Sequence, residues 1–76
     1  MKVIVYSTST CPYCDFAKDF LKENNIEFEA IDVSQDQARA QEMIQKSGQM
    51  GVPVIDVDGQ IVIGFNKAKL KQLLGL

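Results

Sequence analysis

Histidine is absent from the 76-residue chain, and cysteine occurs only twice, at positions 11 and 14. A zinc site takes four nitrogen or sulfur ligands, so this inventory supplies half of one. Four thiolates would need two copies of the chain, and no metal is expected. Basic runs are also missing, and the net charge is −2. Phosphate recognition needs a clustered cationic face, which argues against a nucleic-acid partner. No apolar run approaches the roughly 18 residues that a membrane span requires, so a membrane partner is not expected. Met1-Lys2 leads at once into a short strand pattern, without the apolar region and cleavage site of a secretory signal. The expected location is the cytoplasm, where thiols are held reduced. A disulfide there reads as catalytic rather than structural, and one closing so short a loop would constrain little. Repeats, linkers and low-complexity segments are lacking as well.

What remains is the composition of one globular domain over 1–76, with 46% hydrophobic and 24% charged residues. Lys2-Val3-Ile4-Val5-Tyr6 reads as a buried strand. Ser7 to Thr10 is a polar loop ending in a helix cap, with Thr10 or Cys11 as the candidate. Pro12 suits the first helical position, and Tyr13, Phe16, Ala17, Phe20 and Leu21 form one apolar stripe. Asn24-Asn25 stops that helix. Ile26 to Val33 reads as a second strand, parallel to the first after the crossover. Ser34 with Gln37 matches a capping box, and the second helix carries a thin apolar face of Ala38, Ala40, Met43 and Ile44 before Gly48. After the loop Gln49 to Pro53, Val54–Val57 and Gln60–Ile63 flank an Asp58-Gly59 turn, the clearest hairpin signal. Asn66 caps a last helix, Lys67 to Leu74, with Ala68, Leu70, Leu73 and Leu74 facing inward. The order β-α-β-α-β-β-α predicts an α/β domain with one mixed sheet covered by helices.

Cys11-Pro12-Tyr13-Cys14 lies where the first strand gives way to the first helix, the setting of a redox dithiol. A thiol reacts as its thiolate, and the unpaired N–H groups of a helix N-terminus stabilise that charge. Cys11, ahead of the first turn, is therefore the expected nucleophile. Cys14 is one turn deeper, less accessible, and the expected resolving thiol, with a pKa near its ordinary value. Pro12 keeps both near the helix start, while the Asp15 carboxylate opposes a second negative charge.

This motif after an N-terminal strand, with Gly51-Val52-Pro53 some 40 residues on, resembles the dithiol glutaredoxins of the thioredoxin-fold family. The resemblance covers essentially the whole chain. It implies a three-layer fold, a four-stranded mixed sheet with three helices, and a thiol–disulfide oxidoreductase; a monomer is the expected state. It also implies a cis-proline at Pro53, with the Val52 backbone pairing to glutathione or to a substrate protein. The implied glutathione and substrate contacts are Thr8, Tyr13, Met50, Gly51, Val52, Pro53, Gly64, Phe65, Asn66 and Lys67. Of these, Tyr13, Met50, Val52 and Phe65 are expected to form an apolar rim around Cys11, though Phe65 is equally suited to core packing.

Three departures bear on the reductant. Thr8 stands where many members carry a lysine, Gly51 replaces the threonine of Thr-Val-Pro, and Gly64-Phe65-Asn66-Lys67 replaces Gly-Gly-x-Asp. Loss of charge-assisted contacts worth about 1.5–3 kcal/mol each weakens glutathione binding. Glutathione is the expected reducing co-substrate. One alternative is a redoxin reduced by thioredoxin reductase, for example as donor to ribonucleotide reductase. A second is a glutathione-bridged iron–sulfur carrier, which Pro12 and a competing Cys14 disfavour.

Overall fold

Val3 to Ser7 is buried at every position, and the molecule is laid out around that strand. In the computed structural model, which describes residues 2–76, β1 (Val3–Ser7), α1 (Pro12–Glu23), β2 (Glu29–Asp32), α2 (Gln37–Ser47), β3 (Val54–Val57), β4 (Gln60–Ile63) and α3 (Lys67–Leu74) follow in order. The sheet order is β2-β1-β3-β4. β1 runs parallel to β2 and antiparallel to β3, and β3 and β4 form the antiparallel hairpin. Asp58 and Gly59 both take positive φ, 51° and 91°, as a two-residue hairpin turn requires. The fold is the four-stranded mixed sheet with three helices that the resemblance implies.

Period-two alternation along β1 and β3 sends side chains to two different cores. Val3, Val5, Ile55 and Val57 face α1 and α3, where they pack with Ala17, Phe20, Leu21, Leu70 and Leu74. Ile4, Tyr6 and Val54 face the other way, with Ile31 of β2 and Met43 of α2. Met43 is the only fully buried residue of α2. Polar contacts supplement it. Lys46 Nζ donates to Asp56 Oδ2 at 2.8 Å and to the Tyr6 hydroxyl at 2.9 Å. The Tyr6 hydroxyl in turn donates to the Glu42 carboxylate, which Arg39 approaches at 3.4 Å.

Four sequence expectations are corrected. The apolar stripe of α1 does not bury throughout: Tyr13 and Phe16 are 63% and 53% exposed. Cys14, one position round from Tyr13, takes the inward place instead. α2 is capped by Asp36, whose carboxylate accepts from the Arg39 N–H at 3.2 Å; Ser34 is held in a turn by Asp32. β2 begins only at Glu29, because the β1 ladder starts at the Ile4–Glu29 pair and earlier residues have no partner strand. Ile26 and Phe28 still pack against the core without being strand. Ala38 and Ala68 are exposed: five and two residues from the inward Met43 and Leu70, they fall on other faces of α2 and α3.

Candidate active site

The strand-to-helix turn places Cys11 at the N-cap of α1, with extended backbone dihedrals and Pro12 as the first helical residue. Pro12 has no N–H, and at this position it would have had no partner. The Cys11 sulfur itself performs the capping, accepting the Cys14 backbone N–H at 3.2 Å. A hydrogen bond from an orphan donor at the positive end of a helix stabilises negative charge on that sulfur. As a thiol, Cys11 also points at the Val52 carbonyl oxygen, 3.8 Å away, a long contact even for sulfur. Both cysteines are free, Cys11 half-buried and Cys14 fully buried.

Cys14 departs from the sequence expectation of an ordinary pKa. Burial pushes its thiol up to about 12, and its interaction with Cys11 acts in the same direction. The Thr8 backbone N–H and the Lys18 charge oppose this without prevailing. Lys18 was not among the residues singled out from sequence. Its spacing, four residues after Cys14 on one helix, was the available signal.

The second wall is the loop after α2. The Val52–Pro53 peptide is cis, and the Pro53 carbonyl accepts the Gly64 N–H at 2.8 Å. Pro53, Val52 and Gly64 thus converge at the end of the sheet where Cys11 sits. Thr8 reaches the site through its backbone. Tyr13 and Met50 are exposed, Met50 at 77%, and Tyr13 meets Phe16 edge to face with ring centroids 5.8 Å apart. Gly51 is exposed, and a Cβ there would touch only the flexible Gln49 side chain at 3.5 Å.

Three of the residues expected at the site make structural contacts. Phe65 is half-buried on the α1–α3 core, its ring 6.0 Å from that of Phe20. Asn66 spends its side-chain oxygen on the Lys69 N–H, 3.1 Å away, as the cap of α3. Lys67 is exposed, with its ammonium 5.7 Å from the Phe20 ring centre.

The arrangement supports stepwise sulfur chemistry: one accessible sulfur capped by a helix N–H, one buried sulfur a turn away whose thiol pKa is raised, and a backbone edge beside them.

Comparison with known proteins agrees with this chemistry. Residues 3–62 match the family model described as Glutaredoxin. An uncharacterized glutaredoxin-like 8.6 kDa protein in the rubredoxin operon of Clostridium pasteurianum is 47% identical, over 92% of this chain and 93% of that one. Glutaredoxin 3 of Escherichia coli K12 is 37% identical, over 82% of this chain and 75% of its own. Among solved structures, a single-residue variant of the thioredoxin-like protein BC3987 superposes with a TM-score of 0.91 at 37% identity, covering 96% of this chain and 94% of that one.

Proposed function

The chain belongs to the glutaredoxin family and is a glutaredoxin-like thiol oxidoreductase; from that premise we propose that it reduces disulfides with Cys11 as nucleophile, Cys14 as resolving thiol and glutathione as reductant. The contrast between the two sulfurs carries the proposal: Cys11 is half-buried and capped by a helix N–H, Cys14 buried with its thiol pushed up to about 12. The Cys11 thiolate attacks one sulfur of the substrate disulfide, forming a mixed disulfide and expelling the other sulfur as a thiolate. Ionisation also removes the hydrogen that Cys11 directs at the Val52 carbonyl, which frees that backbone group to receive a substrate N–H. Cys14, still protonated at neutral pH, gives its proton to the departing thiolate as it attacks the Cys11 sulfur. The second substrate thiol leaves and a Cys11–Cys14 disulfide remains, having taken up the two electrons' worth of oxidation. Two glutathione molecules return it to the dithiol and become glutathione disulfide. A reducing cytoplasm suits this cycle.

The test is turnover of a glutathione mixed disulfide, coupled to glutathione reductase. Cys11→Ser should lose all activity, at least a thousandfold by the magnitude of lost nucleophiles. Cys14→Ser should keep turnover on the glutathione mixed disulfide but accumulate protein mixed disulfides. Undiminished protein-disulfide reduction by Cys14→Ser would refute its resolving role.

A second reading is favoured by the exposed apolar group of Tyr13, Phe16 and Met50, together with the engagement of Lys67 by Phe20. Such a surface suits a protein reductant better than a charged tripeptide. Turnover with thioredoxin reductase and none with glutathione would select it.

A further inference from the structure

Lys46 lies outside the cysteine site, yet its ammonium contacts the segments that build it. Tyr6 and Asp56, its two hydrogen-bond partners at 2.9 and 2.8 Å, sit on adjacent antiparallel strands. Tyr6 pairs with Val54, and Asp56 with Ile4, so the two side chains are diagonal neighbours on the face toward α2. Just past the Tyr6–Val54 pair, β1 runs out toward Cys11 and β3 begins after Val52-Pro53. Lys46 itself stands in the last turn of α2, from which the loop carrying Val52 departs. That departure is also tied: the Ser47 hydroxyl donates to the Met43 carbonyl at 2.7 Å and accepts the Gln49 N–H at 3.3 Å. Gly48 closes the helix at φ 75°. One charge therefore joins the strand delivering the nucleophile, the strand following the docking edge, and the helix end that launches it.

We propose that Lys46 is a positioning residue for the thiol–disulfide reaction, holding the Val52 backbone at the distance from Cys11 at which a substrate peptide pairs with it. The proposal rests on the function argued above. Asp56 is buried and Lys46 only partly so, so the pair is anchored from the strand side. The hydrogen bonds from Lys46 to Asp56 and Tyr6 hold its pKa above the ordinary lysine value, which keeps the charge in place throughout the working pH range. Val52 contacts substrate in both ground and transition states, so misplacing it weakens binding uniformly and appears in KM rather than in kcat. The thiol chemistry of Cys11, set by the α1 N-terminus, is untouched.

The experiment compares wild type, Lys46→Met and Lys46→Arg, with a glutathionylated peptide as substrate and iodoacetamide as a probe of Cys11. The expected result for Lys46→Met is a KM raised about tenfold, with kcat and the alkylation rate held within about twofold. Lys46→Arg, which retains charge and reach, should recover most of the wild-type KM. An unchanged KM in folded Lys46→Met, or an equal fall in kcat and alkylation rate, would overturn the proposal. Should Lys46→Met fail to fold, the double variant Lys46→Met with Asp56→Asn removes the unpaired charge while the side-chain oxygen still accepts the Gly59 N–H at 2.7 Å, and decides by the same KM criterion. Inactivity of the wild type itself would instead count against the glutathione-linked function.

Discussion

The two faces of the sheet are held by different physics. Toward α1 and α3 the contact is apolar: Val3, Val5, Ile55, Val57 and Val62 meet Ala17, Phe20, Leu21, Leu70 and Leu74. Toward α2 the apolar cluster is half that size, with Met43 the one helix residue fully buried. Hydrogen bonds among Tyr6, Glu42, Lys46 and Asp56 fill the remaining area. Apolar packing is non-directional and tolerates small shifts, whereas a hydrogen-bonded charge has defined geometry. Cys11, the proposed nucleophile, rides on the first kind of face, with α1. The Val52 edge proposed for docking hangs from the second, after α2. Bulk burial thus holds the one and directional contacts the other.

The largest effect that would sharpen this contrast is expected at Leu21, which is fully buried on the α1 face. Leu21→Ala should lower unfolding free energy by about 2–5 kcal/mol, read by urea denaturation. On the α2 face, Asp56→Asn should be milder, about 1–3 kcal/mol, because it weakens the Lys46 hydrogen bond without opening a cavity. A loss there larger than at Leu21 would break the comparison.

The faces also separate by pH. Burial raises the Cys14 thiol from 9.0 to about 12, so its contribution is full below pH 9 and is lost as pH rises toward 12. Tyr6, raised from 10.0 chiefly by burial, and Lys46, raised from 10.5 by Asp56, begin to withdraw stability only above those values. Between pH 9 and 10 the decline in the reduced protein therefore belongs to Cys14. Cys14→Ala should flatten the curve in that interval and leave the fall above pH 10 in place; an unaltered slope below 10 contradicts the assignment. The Tyr6 hydroxyl lowers the Glu42 pKa, so the α2 face also loses support as pH falls below Glu42's ordinary 4.5.

The smallest stability effect is expected at the surface. Phe16→Ser should change unfolding free energy by no more than about 0.5 kcal/mol, because that ring is half exposed and touches Tyr13 rather than the core. Its effect should fall on protein disulfides and not on a small glutathione disulfide, measured as the ratio of the two kcat/KM values. An unchanged ratio removes Phe16 from the docking surface.

Much of this was legible in the order of residues because it depends on near neighbours. Cys11-Pro12 declares a helix start, Asp58-Gly59 a hairpin turn, and the β-branched run before Tyr6 an inner strand. Each signal is confined to a few consecutive positions, and the structure places β3, β4 and α3 within the expected limits. The dithiol was equally plain, since the two cysteines lie three residues apart at the start of one helix. Local pattern also misled where two residues competed for one role. Ser34 and Asp36 can both cap α2, and only the chain path leaving β2 chooses Asp36.

Sequence alone therefore determined the element order, the placing of the cysteine pair at a helix start and the family, all of which rest on short-range pattern. Tertiary structure alone decided that Cys14 is buried enough to stay protonated, that Tyr13 and Phe16 remain in solvent, and that Phe65 and Lys67 turn toward Phe20. It also brought Lys46 to Tyr6 and Asp56, 40 and 10 residues away along the chain. The reason is physical: burial and hydrogen bonding depend on what the far parts of the chain bring alongside, and no local spacing records that.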